Sequence, residues 1–385
     1  MQLPSRGETI ELQAHDVNQD GHGVARHPSG LIFFIADLWP DEKALCKVVA
    51  IHKSYGVAQI DQRLTASEVR VAPFCAHHGT HDTACTACPW QGIDYPAQLA
   101  RKEARLETCL SFLGSPISSI WPSPQISAYR NRAQFKTDGQ EIGYVNGLTL
   151  QLAPIDACPI LSKRNQKTLK VLKGQLPNRA WQSDDGFTSL DIDEGISAAE
   201  VSINARRPFR QGNQGQNKQM RAWLAEQINA LPPRQIALEL FCGSGNFTEV
   251  LVKEGVKPIV AADVGGEAIG ALRAHKWPLV TAHICNLGED DGLKSFLRQQ
   301  TIKPSLLVLD PPRTGFAQIN LVLEHFKSLQ TILYISCDLL SFARDAKTLV
   351  DAGFVADELQ PLDMFPHTPH IEVLSVFRRT AALPV

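Results

Sequence analysis

A cysteine at the end of an apolar run is the first residue whose position indicates chemistry. In the stretch ILYISCDLLSFARD, the run 332–335 leads to Cys337, and a helix-like segment follows at once. A thiol near a helix N-terminus is expected to have a lowered pKa and a larger thiolate fraction, which makes Cys337 a candidate nucleophile. The alternative is that Cys337 only packs, because free cysteine is among the most buried residue types.

A carboxylate near the last apolar segment is a candidate base. Glu372 lies in MFPHTPHIEVL, where the final strand is predicted to begin. Methylation of carbon 5 of a pyrimidine needs a thiolate that adds to carbon 6 and a base that removes the proton from carbon 5, both beside a methyl donor. Cys337 and Glu372 fit these two roles. A metal site made of His367, His370 and Glu372 is the alternative for this segment.

A glycine turn between a strand and a helix predicts a nucleoside cofactor. LELFCGSGNFT places Gly243 and Gly245 where the backbone can approach a ligand, and Asp263 ends the next strand 20 residues past Gly243. Such an acid can accept hydrogen bonds from ribose hydroxyls. Thr248 stands at the third glycine of the dinucleotide fingerprint, which favours S-adenosylmethionine over a dinucleotide. A tight turn without a ligand is the alternative.

A second strand end has an acid followed by two prolines. LDPPRTG places Asp310 at the end of an apolar run, and the prolines keep the chain extended after it. Enzymes that methylate exocyclic amino groups normally continue a related segment with an aromatic residue that stacks on the target base. This chain has Arg313 there. Methylation of an exocyclic nitrogen is therefore disfavoured.

Four cysteines outside this region predict a site for a soft metal. Cys75, Cys85 and Cys88 lie in PFCAHHGTHDTACTACPW, and Cys158 follows in DACPIL. Four thiolates favour zinc or an iron–sulfur cluster, and their spacing does not separate the two. The three histidines of AHHGTH make a mixed zinc site a further alternative.

Three regions of the chain, which differ in their residue patterns, must position these groups. Residues 1–64 hold short alternating segments separated by turn signals, which predict a small closed barrel of the oligonucleotide-binding type. Residues 65–205 predict a mixed α+β central domain. From 206 to 385 strands and helices alternate, which predicts a doubly wound, mostly parallel sheet with helices on both faces.

Composition sets few limits on the partners. The net charge of −2 gives no global sign of nucleic acid, but basic residues gather around Arg130 and Arg132 and within 163–170, where they can contact RNA phosphates. No run of about 18 apolar residues occurs. The N-terminus also lacks a signal-peptide pattern, so we expect a cytoplasmic protein that spans no membrane. One chain contains every part that the chemistry needs, so a monomer without an obligate protein partner is expected.

Taken together, these motifs resemble the S-adenosylmethionine-dependent RNA uracil-5 methyltransferases. LFCGSGNFT, LDPPRTG, YISCD with SFARD, and MFPHTPHIE follow in the family's order, and the match extends upstream through FRQGNQGQN and YRNRAQFK. The resemblance covers essentially the whole chain. It implies an α/β class I methyltransferase domain at 206–385, a TRAM-like barrel at 1–64, and a central domain at 65–205 that holds the cysteines and an RNA-binding surface.

The resemblance also implies roles for individual residues. Cys337 is implied as the nucleophile and Glu372 as the base that removes the proton. Six positions align with cofactor contacts in the family, namely Gln211, Phe241, Asn246, Asp263, Asn286 and Asp310. The family usually has a glutamate in place of Asp263, and Ser-Cys-Asn where this chain has Ser-Cys-Asp.

At the four cysteines the resemblance implies a [4Fe–4S] cluster, with zinc as the alternative. Nine residues separate Cys75 from Cys85, against five in the best-known pattern, so Cys75 is the ligand that departs from the family spacing. Methyl transfer consumes no electrons. We therefore expect the cluster to support folding and RNA positioning rather than electron transfer.

The implied substrate is a structured RNA. The barrel and the cysteines favour 23S ribosomal RNA, and transfer RNA is the alternative. RNA cytosine-5 methylation usually needs a second cysteine after the acidic-Pro motif, which DPPRTG lacks. A non-catalytic RNA-binding iron–sulfur protein is a further alternative, and the presence of Cys337, Glu372 and the glycine turn argues against it.

Overall fold

A closed five-stranded barrel forms near the N-terminal end of the chain. The computed structural model describes residues 3–184, 186–205 and 207–380. Its barrel strands follow the order β1-β2-β3-β5-β4. They are Thr9–Val17 (β1), Gly23–Arg26 (β2), Ile32–Ile35 (β3), Lys43–Ile51 (β4) and Tyr55–Thr65 (β5). Exposed and buried side chains alternate along β1, and the inward ones join the barrel core with Phe33 and Ile35. The predicted small barrel is confirmed.

The middle of the chain combines helices with an antiparallel sheet. Five strands follow the order β10-β9-β6-β7-β8. They are Arg132–Thr137 (β6), Ile142–Val145 (β7), Leu152–Pro154 (β8), Thr188–Asp193 (β9) and Ser202–Ile203 (β10). Two α-helices precede or interrupt them, Tyr95–Leu110 (α1) and Lys163–Lys173 (α2). Leu169 and Leu172 of α2 pack on Phe135 and Leu190 of the sheet in one apolar cluster.

A seven-stranded sheet forms the C-terminal part, in the order β13-β12-β11-β14-β15-β17-β16. Its strands are Ala237–Leu240 (β11), Ile259–Asp263 (β12), Val280–Ile284 (β13), Leu306–Leu309 (β14), Thr331–Ser336 (β15), Phe354–Leu362 (β16) and Glu372–Arg379 (β17). Strands β11, β14 and β15 are buried along their whole length, as expected of parallel strands covered on both faces. The predicted doubly wound domain is confirmed.

One helix precedes the first strand of this sheet, and the others connect its strands. They are Gln214–Asn229 (α3), Thr248–Lys253 (α4), Gly266–Ala274 (α5), Asp290–Arg298 (α6), Ile319–His325 (α7) and Leu339–Asp351 (α8). Asn213 begins α3 by accepting hydrogen bonds from two backbone N–H groups of the first turn. Within the described ranges, no helix combines the length and the apolar character needed to cross a membrane.

The end of the sheet departs from a parallel pattern. Strand β17 runs antiparallel to β15 on one side and to β16 on the other. Strand β16 was not among the predicted strands, although FVADELQPL alternates between buried and exposed positions over its first half. Antiparallel pairing lets β16 and β17 follow each other without a covering helix between them.

The described residues form two compact units. The first takes in those of Met1–Arg101, Gln125–Arg206 and Phe365–Pro369, and the second those of Lys102–Pro124, Arg207–Met364 and His370–Val385. Residue 206, where the sequence predicted a domain boundary, lies outside the described residues. The predicted division into 1–64, 65–205 and 206–385 stays a prediction.

The second unit contains an ion pair that is removed from solvent. The Lys102 Nζ of α1 lies 2.6 Å from Oδ1 of Asp363, and both side chains are 0% exposed. Burial lowers the pKa of Lys102, while the Asp363 carboxylate raises it. Breaking such a pair leaves an uncompensated charge in a medium of low dielectric constant.

We expect Lys102→Met to lower the free energy of unfolding by about 3–5 kcal/mol, because the change removes one side of a buried ion pair. Lys294→Met is the matched control, since Lys294 pairs with Asp290 at the surface and exposed pairs contribute about 0–1 kcal/mol. Urea unfolding of both variants measures the difference. Equal effects would show that the buried pair adds nothing beyond an exposed one.

Candidate active site

The pairing of strands brings the predicted nucleophile and base together. In the antiparallel ladder of β15 with β17, Ser336 pairs with Val373, so the next position along β15 brings Cys337 opposite Glu372. The parallel ladder of β14 with β15 ends at the same edge and adds Asp310 just after β14. Glu372 is buried, whereas Cys337 and Asp310 are half-buried. The sequence therefore correctly grouped these three residues at one edge of the sheet.

The thiol is a weaker acid than the sequence suggested. The pKa of Cys337 is raised to about 12, first by burial and then by the carboxylates of Glu372 and Asp310. The guanidinium of Arg313 opposes them and lowers it. In the free protein the thiol therefore stays protonated near neutral pH. The prediction of a lowered pKa is wrong.

Burial is the main reason, and the start of α8 adds a smaller contribution. Asp338 is the N-cap residue of this helix, and its carboxylate accepts a hydrogen bond of 2.9 Å from the backbone N–H of Ser341. This cap satisfies part of the helix N-terminus and places a negative charge beside the thiol. Asp338 accordingly raises the pKa of Cys337 as well.

The pKa of the candidate base, Glu372, is also raised. Burial raises the pKa of Glu372 well above its ordinary value, Asp310 raises it further, and Arg313 lowers it. Asp310 itself has a pKa raised to about 7, mainly by burial and next by Asp263. A carboxyl group with a raised pKa is a stronger base than an ordinary glutamate.

Arg313 is a site residue whose role the sequence did not reveal. It was noticed only because it replaces an aromatic residue, yet its charge acts on both Cys337 and Glu372. Its Nη2 lies 3.1 Å from Nε2 of His370. The available signal was its place two residues after the buried Pro311, in a turn that follows a strand end.

The glycine turn opens a space for a ligand. Phe241, Gly243 and Gly245 all have left-handed backbones, with φ of 63°, 53° and 97°. A side chain at Gly243 would meet no atom within 4 Å, so the turn faces open space there. At Gly245 it would lie 3.2 Å from the Trp277 ring, so this glycine is required for packing. The predicted close backbone approach therefore concerns Gly243.

Asp263 is held by the turn that it faces. Its two carboxylate oxygens accept the N–H groups of Gly243 at 2.9 Å and Gly265 at 2.8 Å. Each oxygen has a second lone pair, which can accept a ribose hydroxyl. The aspartate is therefore fixed by the backbone despite being shorter than the family's usual glutamate.

The remaining predicted cofactor residues lie around this edge in the second unit. Gln211 Nε2 donates to Oδ2 of Asp310 at 3.4 Å. Asn246 exchanges two amide hydrogen bonds with Asn217, at 2.9 and 3.0 Å. Asn286 is exposed after β13, and its side-chain oxygen accepts the N–H of Gly288 at 3.2 Å. These contacts leave the assignment of cofactor roles a prediction.

A buried carboxyl group that the sequence analysis missed lies just before the glycine turn. Burial raises the pKa of Glu239 to about 8, and the Thr248 hydroxyl donates to its Oε2 at 2.6 Å. Within the described part of the chain, its Oε1 has no hydrogen-bond partner. The available signal was an acid inside the apolar strand IALELF.

The four clustered cysteines all belong to the first unit. The pKa of Cys85 is raised to about 11, mainly by burial, with Cys158 and Cys75 contributing in the same direction. Burial likewise raises the pKa of Cys88, with Cys158, Cys85 and Cys75 adding to the effect. The thiols are thus close enough to interact electrostatically. No group of three or more His, Cys, Asp or Glu residues among those described has an arrangement that could hold a metal ion, so this ligand set stays a prediction.

The alternative metal site in MFPHTPHIE is not supported. His367 uses both ring nitrogens, since Nδ1 lies 3.1 Å from Gln98 Nε2 and Nε2 lies 3.0 Å from the carbonyl oxygen of Ile126. Neither nitrogen is then available to a metal ion.

Comparisons with known proteins agree with this architecture. A family model described as tRNA (Uracil-5-)-methyltransferase matches residues 291–380. A protein of Nitrosomonas europaea described as an uncharacterized RNA methyltransferase is 36% identical over 374 residues, which cover 94% of this chain and 95% of that protein. The 23S rRNA (uracil(1939)-C(5))-methyltransferase RlmD of Pseudoalteromonas translucida is 26% identical, covering 98% of both chains.

A solved structure shows the same fold. The tRNA (uracil-54, C5)-methyltransferase of Pyrococcus abyssi, in complex with S-adenosyl-L-homocysteine, superimposes with a TM-score of 0.69 at 21% identity. The superposition covers 96% of this chain and 100% of that one. The likeness therefore extends over the barrel, the central region and the seven-stranded sheet.

Two substitutions should shift the pKa of Cys337 in opposite directions. Arg313→Gln removes a cation that lowers this pKa, so the pKa rises and the thiol reacts more slowly. Asp338→Asn keeps a side-chain cap but removes a negative charge, so the pKa falls and the thiol reacts faster.

The measurement is the rate of iodoacetamide modification of the Cys337 peptide, followed by mass spectrometry between about pH 7 and 10, where only the thiolate reacts. The rate should rise with pH in every variant, because the raised pKa lies above this range. Faster modification of Arg313→Gln would contradict the electrostatic assignment.

Proposed function

This chain belongs to the family of S-adenosylmethionine-dependent RNA uracil-5 methyltransferases, and from that premise we propose how its residues divide the reaction and which RNA it modifies. The observation that supports the proposal most directly is the register that brings Cys337 opposite Glu372. Alkylation of a pyrimidine at carbon 5 requires this pair of groups within reach of the same ring.

Cys337 acts as the nucleophile. Its sulfur forms a bond to carbon 6 of the uridine, and the electron pair of the 5,6 double bond moves toward the carbonyl oxygen at position 4 as an enolate. Carbon 5 thereby becomes nucleophilic. The raised pKa of the thiol means that it must lose its proton before this step, and the Arg313 cation favours both the thiolate and the enolate.

S-adenosylmethionine supplies the methyl group when bound. Six residues would hold it at the strand ends, namely Gln211, Phe241, Asn246, Asp263, Asn286 and Asp310. Asp263, which the backbone holds in place, would accept the ribose hydroxyls. The open space over Gly243 allows the ligand to approach the backbone.

Glu372 acts as the base. After methylation it removes the proton from carbon 5, the electron pair reforms the 5,6 double bond, and the carbon–sulfur bond breaks to release Cys337. The raised pKa of Glu372 supports this role, because a stronger base has a larger driving force for proton removal.

We infer that the substrate is 23S ribosomal RNA and that one chain suffices for the reaction. Full-length relatives at 26–28% identity are named as 23S rRNA enzymes, and the barrel, which we propose to be TRAM-like, provides a further RNA-binding module. Four basic residues of α2 are exposed along one segment and offer contacts to phosphates, namely Lys163, Arg164, Lys167 and Lys170. Transfer RNA is the second candidate, because the Pyrococcus abyssi enzyme shares the whole fold.

We also propose that Cys75, Cys85, Cys88 and Cys158 hold a [4Fe–4S] cluster. Their mutual electrostatic influence in one buried region supports this, since metal binding would remove the protons that burial otherwise retains. A cluster here would link segments separated by about 70 residues of sequence, which stabilises the fold around them.

The purified protein should be incubated with methyl-labelled S-adenosylmethionine and ribosomal RNA from a strain lacking this gene. We expect the label to appear in 5-methyluridine. Cys337→Ala should abolish the label. Glu372→Gln should reduce turnover by about 10²–10⁴-fold while a covalent RNA–protein complex accumulates, because the adduct forms but its proton is not removed. Nucleoside mass spectrometry and denaturing electrophoresis measure these results.

Transfer RNA from the same strain is the parallel substrate in this experiment. Label in that fraction alone would replace the ribosomal assignment, and label in neither fraction would overturn the proposed reaction. Cys109→Ala is the matched cysteine control, since Cys109 lies on α1 and outside the strand-end site, so this change should leave methylation intact.

Anaerobically purified protein should contain about four iron and four sulfide per chain and show broad visible absorption. Cys88→Ser should lose the iron and lower the thermal unfolding temperature, because the cluster joins distant segments. Cys109→Ser, which changes a cysteine outside the set, should keep the iron. Zinc without sulfide in the wild-type protein would replace the cluster by a zinc site.

A further inference from the structure

Behind the active site, one buried carboxylate gathers four hydrogen bonds. Asp345 of α8 is 1% exposed. Its Oδ2 accepts the hydroxyl of Tyr334 and the backbone N–H of Phe316, both at 2.6 Å. Its Oδ1 accepts Nε and Nη2 of Arg344 at 2.8 and 2.7 Å. A strand, a turn and a helix are therefore fastened to a single side chain.

The turn that contains Arg313 lies directly on this carboxylate. Gly315 N–H donates to the carbonyl oxygen of Pro312 at 2.8 Å, and Arg344 Nη2 donates to that of Thr314 at 2.8 Å. Gly315 has a φ of 70°, and a Cβ there would come within 2.5 Å of Oδ2 of Asp345. The turn has no room to shift toward α8, so its position is set by Asp345 and Arg344.

The other two donors lead to the remaining parts of the site. Tyr334 lies in β15, three residues before Cys337. The ring of Phe316 packs edge-on against Phe241 of the glycine turn, with centroids 5.1 Å apart. The segments of the nucleophile, of Arg313 and of the cofactor turn thus meet at Asp345.

We propose that Asp345 is a positioning residue for this site: it holds the turn 312–316 so that Arg313 stays beside Cys337 and Glu372. The consequence for methyl transfer rests on the proposed function, but the effect on the thiol does not require RNA or a methyl donor. Asp345 acts through the turn, not on the reacting atoms.

The charged and titratable groups around the thiol determine in which direction the pKa of Cys337 changes, and that direction distinguishes this proposal from a simple loss of charge. Those that influence Cys337 are Glu372, Asp310, Arg313 and Asp338, and Cys337 itself raises the pKa of Tyr334. Arg313 is the cation of this set. Loss of Asp345 as a charge would lower the pKa of the thiol, because a negative charge disappears and Arg344 is left unneutralised. Release of the turn would raise that pKa, because Arg313 moves away.

Asp345→Ala therefore tests the proposal through the alkylation rate of Cys337 at about pH 8. We expect modification about 3–10-fold slower than in the wild type, corresponding to an upward pKa shift of about half a unit to one unit. Alkylation of Cys337 should be slowed less in Asp345→Asn, because the amide oxygen of the asparagine still accepts hydrogen bonds. Arg313→Gln is the reference for complete loss of the cation.

A double variant distinguishes action through Arg313 from an independent effect. In the double variant Asp345→Ala/Arg313→Gln, alkylation of Cys337 should be no slower than in the slower of the two single variants, because the effect of the same cation is lost only once. Tyr334→Phe removes one of the four hydrogen bonds and should give a smaller slowing. If circular dichroism shows that Asp345→Ala does not fold, Tyr334→Phe serves as the test variant in its place.

Unchanged or faster alkylation in folded Asp345 variants would overturn the proposal, and so would additive slowing in the double variant. The outcome is separate from that of the proposed function. Alkylation proceeds without RNA or S-adenosylmethionine, whereas failure of wild-type protein to methylate either RNA would leave the thiol result standing.

Discussion

The antiparallel pairing of β15 with β17 is the constraint on which the site depends. Ser336 opposite Val373 fixes Cys337 across from Glu372, and a slip of one residue would turn both side chains to the wrong faces of the sheet. Both strands are buried along nearly all of their length, so a slip would also disrupt the packing of their apolar side chains. The hydrophobic core therefore enforces the register that the chemistry needs.

This register concentrates acidic groups in a poorly solvated place, which costs stability and shapes reactivity. Glu372, Asp310 and Cys337 each have a raised pKa, with burial as the main cause. The protein therefore does not hold a permanent thiolate beside its carboxylates. Arg313 is the group that offsets them, because its charge lowers the pKa of both Cys337 and Glu372.

The sequence predicted those parts of the structure that depend on local patterns. Apolar runs located β11, β14 and β15, and the glycine turn located the cofactor edge, because each pattern lies within about ten residues. The pKa of Cys337 was predicted with the wrong sign, since it depends first on burial and then on Glu372 and Asp310, which lie far away in sequence. The insertion of β17 beside β15 was missed for the same reason: pairing partners are not visible in either strand alone.

The hydrogen bonds at Asp345 explain why this buried position holds a charged residue. An uncharged residue of the same shape, such as asparagine, would have a smaller desolvation cost. A carboxylate has two acceptor oxygens and can receive four hydrogen bonds, whereas an asparagine side chain has one acceptor oxygen and adds two donors that would face the Tyr334 hydroxyl or Arg344. Only the carboxylate satisfies a strand, a turn and a helix at once. Arg344 supplies the neutralising charge from the adjacent position, so the ion pair and the junction of the three segments are the same feature.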